Sequence, residues 1–270
     1  EHYEKGTFPI EIVPILGELG FMGSSLPETS GGSGVSNVAY GLILHELERG
    51  DTGLRSFASV QGSLVMFPIH AYGSKEQKER WLRDLGSGKK IGCFGLTEPN
   101  FGSNPGGMAT RCVRSGNDWI INGNKMWITN GHMGNGETGD VYLIYARTGG
   151  PGAKGISLFL VEKGMEGFTA GQAIKDKCGM RASNTAELVF DNVRVPAANL
   201  VGEENKATIC MMRNLEIERV VLGAMATGIA RRCVHLMGKY ADERVAFGQP
   251  LQNFGQIQRY VSDSYAQYVA

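Results

Sequence analysis

Two segments of this chain hold residue types suited to one job. Leu96-Thr97-Glu98-Pro99-Asn100-Phe101-Gly102-Ser103 supplies hydroxyls and backbone amides at a glycine turn, and Lys125-Met126-Trp127-Ile128-Thr129-Asn130 adds a further hydroxyl and an indole. A planar, electron-poor ring with a diphosphate tail needs such groups for hydrogen bonding along its edge and stacking on its face. Together the segments read as a flavin site. A lone Thr-Glu-Pro is common loop chemistry and a lone Trp is usually core, so the weight rests on both occurring in order.

A second signal lies in the last third. Met211, Leu215, Glu218, Leu222, Met225, Ile229, Cys233, Leu236 and Tyr240 recur at steps of four and three, which predicts one apolar stripe on a long helix. Glu218 is the only charge on that stripe. Burying an ionised carboxylate is costly unless it is paired or its pKa rises, so Glu218 is either a member of a structural ion pair or a functional base. Arg213, Arg219, Arg231 and Arg232 offer partners for the first role, and Glu216 falls off the stripe toward solvent.

The elements that must position these residues follow from periodicity. Helical spacing runs from Pro9 to Leu19, from Ser36 to Gly50, from Leu54 to Ile69 and again after Ser74, which with Gln77 makes a capping box; Pro27 to Gly34 is a loop. Between Ile91 and Val201 the period changes to short β-branched or aromatic runs, at Trp119–Ile121, Val141–Tyr145, Ile156–Val161 and Leu188–Phe190. Asn122-Gly123-Asn124 predicts a hairpin between the strand at Trp119 and the strand carrying Trp127, which would aim Trp127 and Thr129 the same way. Helical spacing returns from Glu203 to Tyr240, and another helix begins near Asn253. The expected class is α+β: a helical domain over 1–91, a β-barrel-like domain over 92–201 and an incomplete helical bundle over 202–270.

Composition bounds the function. The 270 residues are 42% hydrophobic, enough for a core shared between domains. Lys+Arg and Asp+Glu both number 27, so no net field draws the chain to nucleic acid or an anionic membrane, and no spanning apolar run stands out. The five cysteines are scattered and odd in number, which argues against a disulfide framework and a zinc cluster and for a reducing compartment; no metal ligands are assigned. Gly17, Gly20 and Gly23 have the wrong spacing for a dinucleotide fingerprint, which disfavours a nicotinamide fold.

The two site segments, in order, resemble the acyl-CoA dehydrogenase family. Asn214–Leu222 resembles the isovaleryl-CoA dehydrogenase helix that carries the catalytic glutamate, which makes Glu218 the base. The resemblance implies FAD, with Phe94, Leu96, Thr97 and Thr129 at the flavin, Trp127 over the face opposite the substrate and Ser103 at the pyrophosphate and the substrate. Arg219 is a further implied substrate contact. Asp242–Leu251 resembles the segment whose arginine reaches the FAD of a neighbouring subunit, which implies that role for Arg244, with Phe247 beside it. Glu48–Gln61 resembles instead the glutaryl-CoA dehydrogenase branch, where the residues matching Arg55 and Ser59 hold the far carboxylate of a dicarboxylic acyl chain; read alone, Arg55 is as readily a solvated charge near Asp51. That branch takes its glutamate from a later helical portion, so the two resemblances pull apart, and the one at Glu218 has the stronger physical support.

The implied activity is α,β-dehydrogenation of a short or branched acyl-CoA to the trans-2-enoyl-CoA, with electrons passed to an electron-transfer flavoprotein and a homotetramer as the working unit. Alternatives are a glutaryl-CoA dehydrogenase, an acyl-CoA oxidase and a non-catalytic binding protein on the same fold. The expected compartment is the mitochondrial matrix in a eukaryote or the cytoplasm in a bacterium. Asn104 departs from the family's usual Asp, and Gly134–Gly139 lengthens a loop.

Overall fold

Side-chain caps decide where the amino-terminal helices begin. After two short helices, α1 (His2–Lys5) and α2 (Val13–Glu18), Ser36 accepts from the Ala39 amide to open α3 (Asn37–Gly50). Asp51 accepts from the Gly53 and Leu54 amides to open α4 (Thr52–Ser59), satisfying donors that the first turn leaves free. The predicted capping box is present at α6 (Lys75–Gly86), with Ser74 and Gln77 bonded reciprocally. The computed structural model describes every residue except Asn135 and Gly136 and the side chain of Ile217, so the centre of the lengthened loop Gly134–Gly139 lies outside the described residues.

One feature of this domain departs from the reading of residues 54–69 as one regular helix. Between α4 and α5 (Phe67–Tyr72) the chain forms a π-helical segment, Val60–Met66. Two constraints hold it. Gly62 lies so close to Gly23 that a Cβ would sit 2.8 Å from the Gly23 nitrogen. Buried Gln61 donates to the carbonyls of Leu85 and Lys90 and accepts from the Gly92 amide, at 2.7–2.9 Å, which ties this segment to the end of α6 and the start of the sheet.

Eight strands follow: β1 (Gly92–Gly95), β2 (Arg111–Ser115), β3 (Asp118–Thr129), β4 (Val141–Arg147), β5 (Ile156–Glu162), β6 (Phe168–Ala173), β7 (Thr185–Pro196) and β8 (Leu200–Val201). Their order is β6-β7-β3-β2-β4-β5-β8, with β1 parallel to β4. The sheet bends around a core without closing into a barrel by hydrogen bonds, since among the described residues its end strands β6 and β8 are not paired with each other. Alternation explains why β4 reads as one apolar run. Tyr142, Ile144 and Ala146 enter the core inside the bend, whereas Val141, Leu143 and Tyr145 face the helical domain.

The hairpin predicted at Asn122-Gly123-Asn124 is not there. Strand β3 runs straight through it, and the turn lies instead at Gly116-Asn117, closed by the Ser115–Asp118 pair with Gly116 at φ 63°. Gly123 marks a bulge against β7, where a Cβ would meet Thr110 at 2.6 Å. A second irregularity between Lys125 and Ile128 includes Trp127 at φ 64°, so simple alternation does not relate Trp127 to Thr129.

The long helix α7 (Ala207–Glu243) is followed by the small hairpin β9 (Val245–Ala246) and β10 (Gln249–Pro250) and by α8 (Gly255–Val269). Its buried strip is Met211, Asn214, Glu218, Val221, Met225 and Gly228. The predicted stripe is therefore only partly right: Leu222, Ile229, Cys233, Leu236 and Tyr240 are exposed. The reason is the seat of α3, which lies against Val221, Met225 and Gly228; a Cβ on Gly228 would stand 2.2 Å from the His45 carbonyl oxygen. By length and composition alone α7 is apolar enough to cross a membrane, contrary to the sequence reading, although one face of it is committed to α3.

Gly228→Ala is expected to destabilise the fold by about 1–3 kcal/mol through overpacking, despite the better helix propensity of Ala. A lower urea midpoint with unchanged slope is the check.

Candidate active site

Strand β1 and the loop after it bring the first motif to the helices. Phe94 packs edge-on against Tyr145 at 5.3 Å, and Leu96 joins the buried cluster that contains Met211 of α7 and Val65 and Met66 of the π segment. Leu215, one turn before Glu218, packs on the same cluster. Thr97 is half-buried, its carbonyl accepting from the Met126 amide at 2.9 Å, which joins the two motifs directly.

A buried ion pair underlies that junction. Lys125 is 0% exposed and donates to Glu98 at 2.8 Å and to the Leu96 carbonyl at 3.2 Å. Glu98 also accepts from the amides of Ala109, at 2.6 Å, and Thr110, at 3.0 Å. Burial works to raise the Glu98 pKa, yet Lys125 and the two amide contacts hold it below the ordinary carboxylate value. Burial pushes the Lys125 ammonium down to about 8 against the pull of Glu98. Sequence reasoning missed the pair. The alternation through Trp119, Ile121 and Gly123 does reach Lys125, and that parity was the available signal.

The groups free to meet a ring stand beside this pair. Trp127 is 58% exposed on left-handed backbone, an uncommon conformation for an aromatic residue and a costly exposure for an indole unless something covers it. Thr129 is half-buried, and Gly102 and Ser103 are exposed at the turn. This set fits a flavin: donors at Thr97, Thr129 and the turn, and an open indole face.

Glu218 is 7% exposed, and Ser63 from the π segment donates to it. Burial pushes its carboxyl up to about 7, partly opposed by the positive charge of Arg55. Ser63 also reaches the Ser59 carbonyl at 2.6 Å, so its single proton serves either the carboxylate or that carbonyl, depending on whether Glu218 is ionised. Beside them the Tyr40 hydroxyl is buried without a hydrogen-bond partner, its pKa raised by burial and by Glu218. None of the arginines offered as partners pairs with Glu218: Arg231 bonds Glu46, Arg232 bonds the carbonyls of Arg49 and Gly50, and Arg213 and Arg219 are exposed.

Arg55 is not the solvated charge that its nearness to Asp51 suggested. It is largely buried and ion-paired to buried Glu48, which also accepts from Thr52 at 2.8 Å, while Asp51 is occupied as the cap of α4. Ser59, on the same helix face, donates to the Ser56 carbonyl at 3.3 Å. Ser63 and Tyr40 were not legible as site residues, since nothing in a 3.6-residue period announces a π segment. Arg244 and Phe247 are apart from these groups, exposed around the β9–β10 hairpin, with Phe247 98% exposed.

Two outcomes check this geometry. Lys125→Met leaves Glu98 buried without its cation and is expected to cost about 3–5 kcal/mol in denaturant unfolding, with partial recovery on adding Glu98→Gln. Because the folded pKa of Glu218 lies above its unfolded value of about 4.5, its contribution is full below that pH and is lost as pH rises to about 7. Stability should fall by on the order of 3 kcal/mol across that window, and Glu218→Gln should remove that part of the pH dependence.

Comparison with known proteins agrees with this arrangement in all three parts. Family models for the N-terminal, middle and C-terminal domains of acyl-CoA dehydrogenases match residues 1–89, 93–193 and 208–270. A probable acyl-CoA dehydrogenase of Bacillus subtilis is 40% identical over 97% of this chain and 68% of its own length. The mitochondrial short-chain specific acyl-CoA dehydrogenase of Rattus norvegicus is 38% identical over 96% of this chain, which spans 62% of that protein. A glutaryl-CoA dehydrogenase of Mycobacterium smegmatis, solved in complex with FADH2, superposes with a TM-score of 0.91 at 44% identity, over 99% of this chain and 66% of that one. The chain thus spans roughly two thirds of such relatives, and with three domain models matched in order and 97% of this chain aligned to a bacterial relative at 40% identity, it belongs to the acyl-CoA dehydrogenase family.

Proposed function

We propose that the protein carrying this chain is an FAD-dependent acyl-CoA dehydrogenase that oxidises a short or branched acyl-CoA to the trans-2-enoyl-CoA, with Glu218 as the base. The observation that carries the proposal is a buried carboxylate whose helix shares one apolar cluster with the loop of the first motif. When bound, FAD supplies the acceptor for the hydride leaving the β-carbon. Glu218 takes the proton from the α-carbon, and the electron pair of that C–H bond forms the new double bond. Water exclusion makes the carboxylate a stronger base, and Ser63 holds its orientation. Thr97 and Thr129 orient the ring edge, Trp127 covers the face away from the substrate, and Ser103 meets the pyrophosphate. Phe94 and Leu96 form the floor.

Arg219 is a further substrate contact, and exposed Arg244, with Phe247 beside it, is free to reach a neighbour's cofactor in a homotetramer. Electrons leave to an electron-transfer flavoprotein.

A second reading, a dicarboxylic substrate held by Arg55 and Ser59, is favoured by one observation: Arg55 is buried near enough to Glu218 for its charge to be felt. Against it, Glu48 already neutralises Arg55, and the Glu218 carboxylate would oppose a second negative charge there.

Anaerobic bleaching of the FAD-loaded, complete protein by isovaleryl-CoA, butyryl-CoA and glutaryl-CoA tests both readings. Glu218→Gln should slow bleaching by every ligand by roughly 10²–10⁴-fold, and the wild-type rate should rise with pH through about 7 as the base ionises. Wild-type bleaching by Glu218→Gln overturns the assignment. Selective loss of glutaryl-CoA response in Arg55→Ala would instead establish the dicarboxylate reading.

A further inference from the structure

A cleft of about 380 Å³ lies between the amino-terminal segment around Lys5–Ile10, the loop after the second motif and the β6–β7 connection. Its wall carries Lys5, Lys175, Lys177 and Arg181 against a single carboxylate, Asp176. Not all of that charge is free. Lys5 is ion-paired with Glu1 at 2.6 Å, and the Asp176 side chain points largely into solvent, 4.0 Å from Arg181.

The other cations have no carboxylate partner within hydrogen-bond distance among the described residues. Lys177 is half-buried and donates only to neutral oxygens, the Ser183 carbonyl at 2.5 Å and the Thr185 hydroxyl at 2.7 Å, and burial holds its pKa below the ordinary lysine value. Arg181 donates to the backbone carbonyls of Tyr3, Glu4 and Lys177, at 3.2–3.5 Å. Lys175 is exposed and makes no side-chain hydrogen bond among the described residues. Half-buried cations whose hydrogen bonds go to carbonyl and hydroxyl oxygens, with one solvent-facing carboxylate 4.0 Å from Arg181, remain short of countercharge.

Two neutral donors line the same wall. The Asn184 Nδ2 is buried with no hydrogen-bond partner among the described residues. His132 accepts from the Gly134 amide through Nδ1, which leaves the proton of the neutral ring on Nε2 as a donor. A cavity that gathers donors and uncompensated cations is built for an oxyanion. We infer that this cleft is a binding site for a phosphoryl group, either inorganic phosphate or the phosphate of a nucleoside monophosphate.

The site is independent of the proposed acyl-CoA chemistry, so its test needs no turnover. Calorimetric titration of the full chain with inorganic phosphate at constant ionic strength, with AMP as a second arm, should give saturable binding. Lys175→Glu and Arg181→Gln should each weaken it tenfold or more. Equal affinity for both probes identifies the phosphoryl group as the recognised unit, and tighter AMP binding identifies a nucleotide ligand; either supports the site. Heat no greater than that of chloride for both probes overturns the inference, as does binding that Lys175→Glu leaves unchanged. Lys175 is exposed and holds no internal bond among the described residues, so that variant decides the matter even where Arg181→Gln loosens the loop.

Discussion

The ammonium of Lys125 and the carboxylate of Glu98 meet beneath the protein surface, both side chains buried, and much of the candidate site's geometry depends on that meeting. Such a pair is stable only when its remaining valences are filled, and here the Leu96 carbonyl and the amides of Ala109 and Thr110 fill them. The consequence is positional. A loop that would otherwise wander is fastened to β3 at Glu98 and, through the Thr97 carbonyl, at Met126. The hydroxyls of Thr97 and Thr129 and the indole of Trp127 then hold fixed places relative to one another without any of them being consumed in structural bonds. Binding surfaces of this kind need rigid support behind groups that remain free.

Glu218 shows the opposite use of burial. Lys125 and Glu98 are buried as a neutralised couple, whereas Glu218 faces a hydroxyl and only the distant charge of Arg55. The first arrangement holds an acid ionised, and the second brings an acid near neutrality of proton affinity at physiological pH. The two glutamates thus differ in proton affinity because their surroundings differ.

Much of this was legible in the chain. The change of period at residue 91, the capping box at Ser74, the two motifs and the inward position of Glu218 all follow from short-range pattern. What escaped was set by contacts between distant segments. Gly123 looked like a turn because Asn-Gly-Asn favours positive φ; only the approach of Thr110 reveals it as a bulge. The second half of the α7 stripe looked buried because periodicity reports which residues share a face and says nothing about whether a neighbour covers it. Leu236 and Tyr240 lie past the reach of α3. Lys125 escaped because a lysine at an inward strand position is buried only where an acid meets it, and Glu98 lies 27 residues away; the buried state of Arg55 likewise depends on Glu48, seven residues away across a helix break.

The π segment at Val60–Met66 sets the relative rotation of what lies on either side of it. Each residue advances a helix by about 100°, so the face that presents Arg55 and the face that begins at Phe67 are held in a phase that a regular helix of the same length would not give. A one-residue deletion here would restore ordinary winding and leave composition almost untouched. It would also turn Arg55 and Ser63 relative to the α5 wall, so a change in length here would be felt at side chains that the deletion never touches.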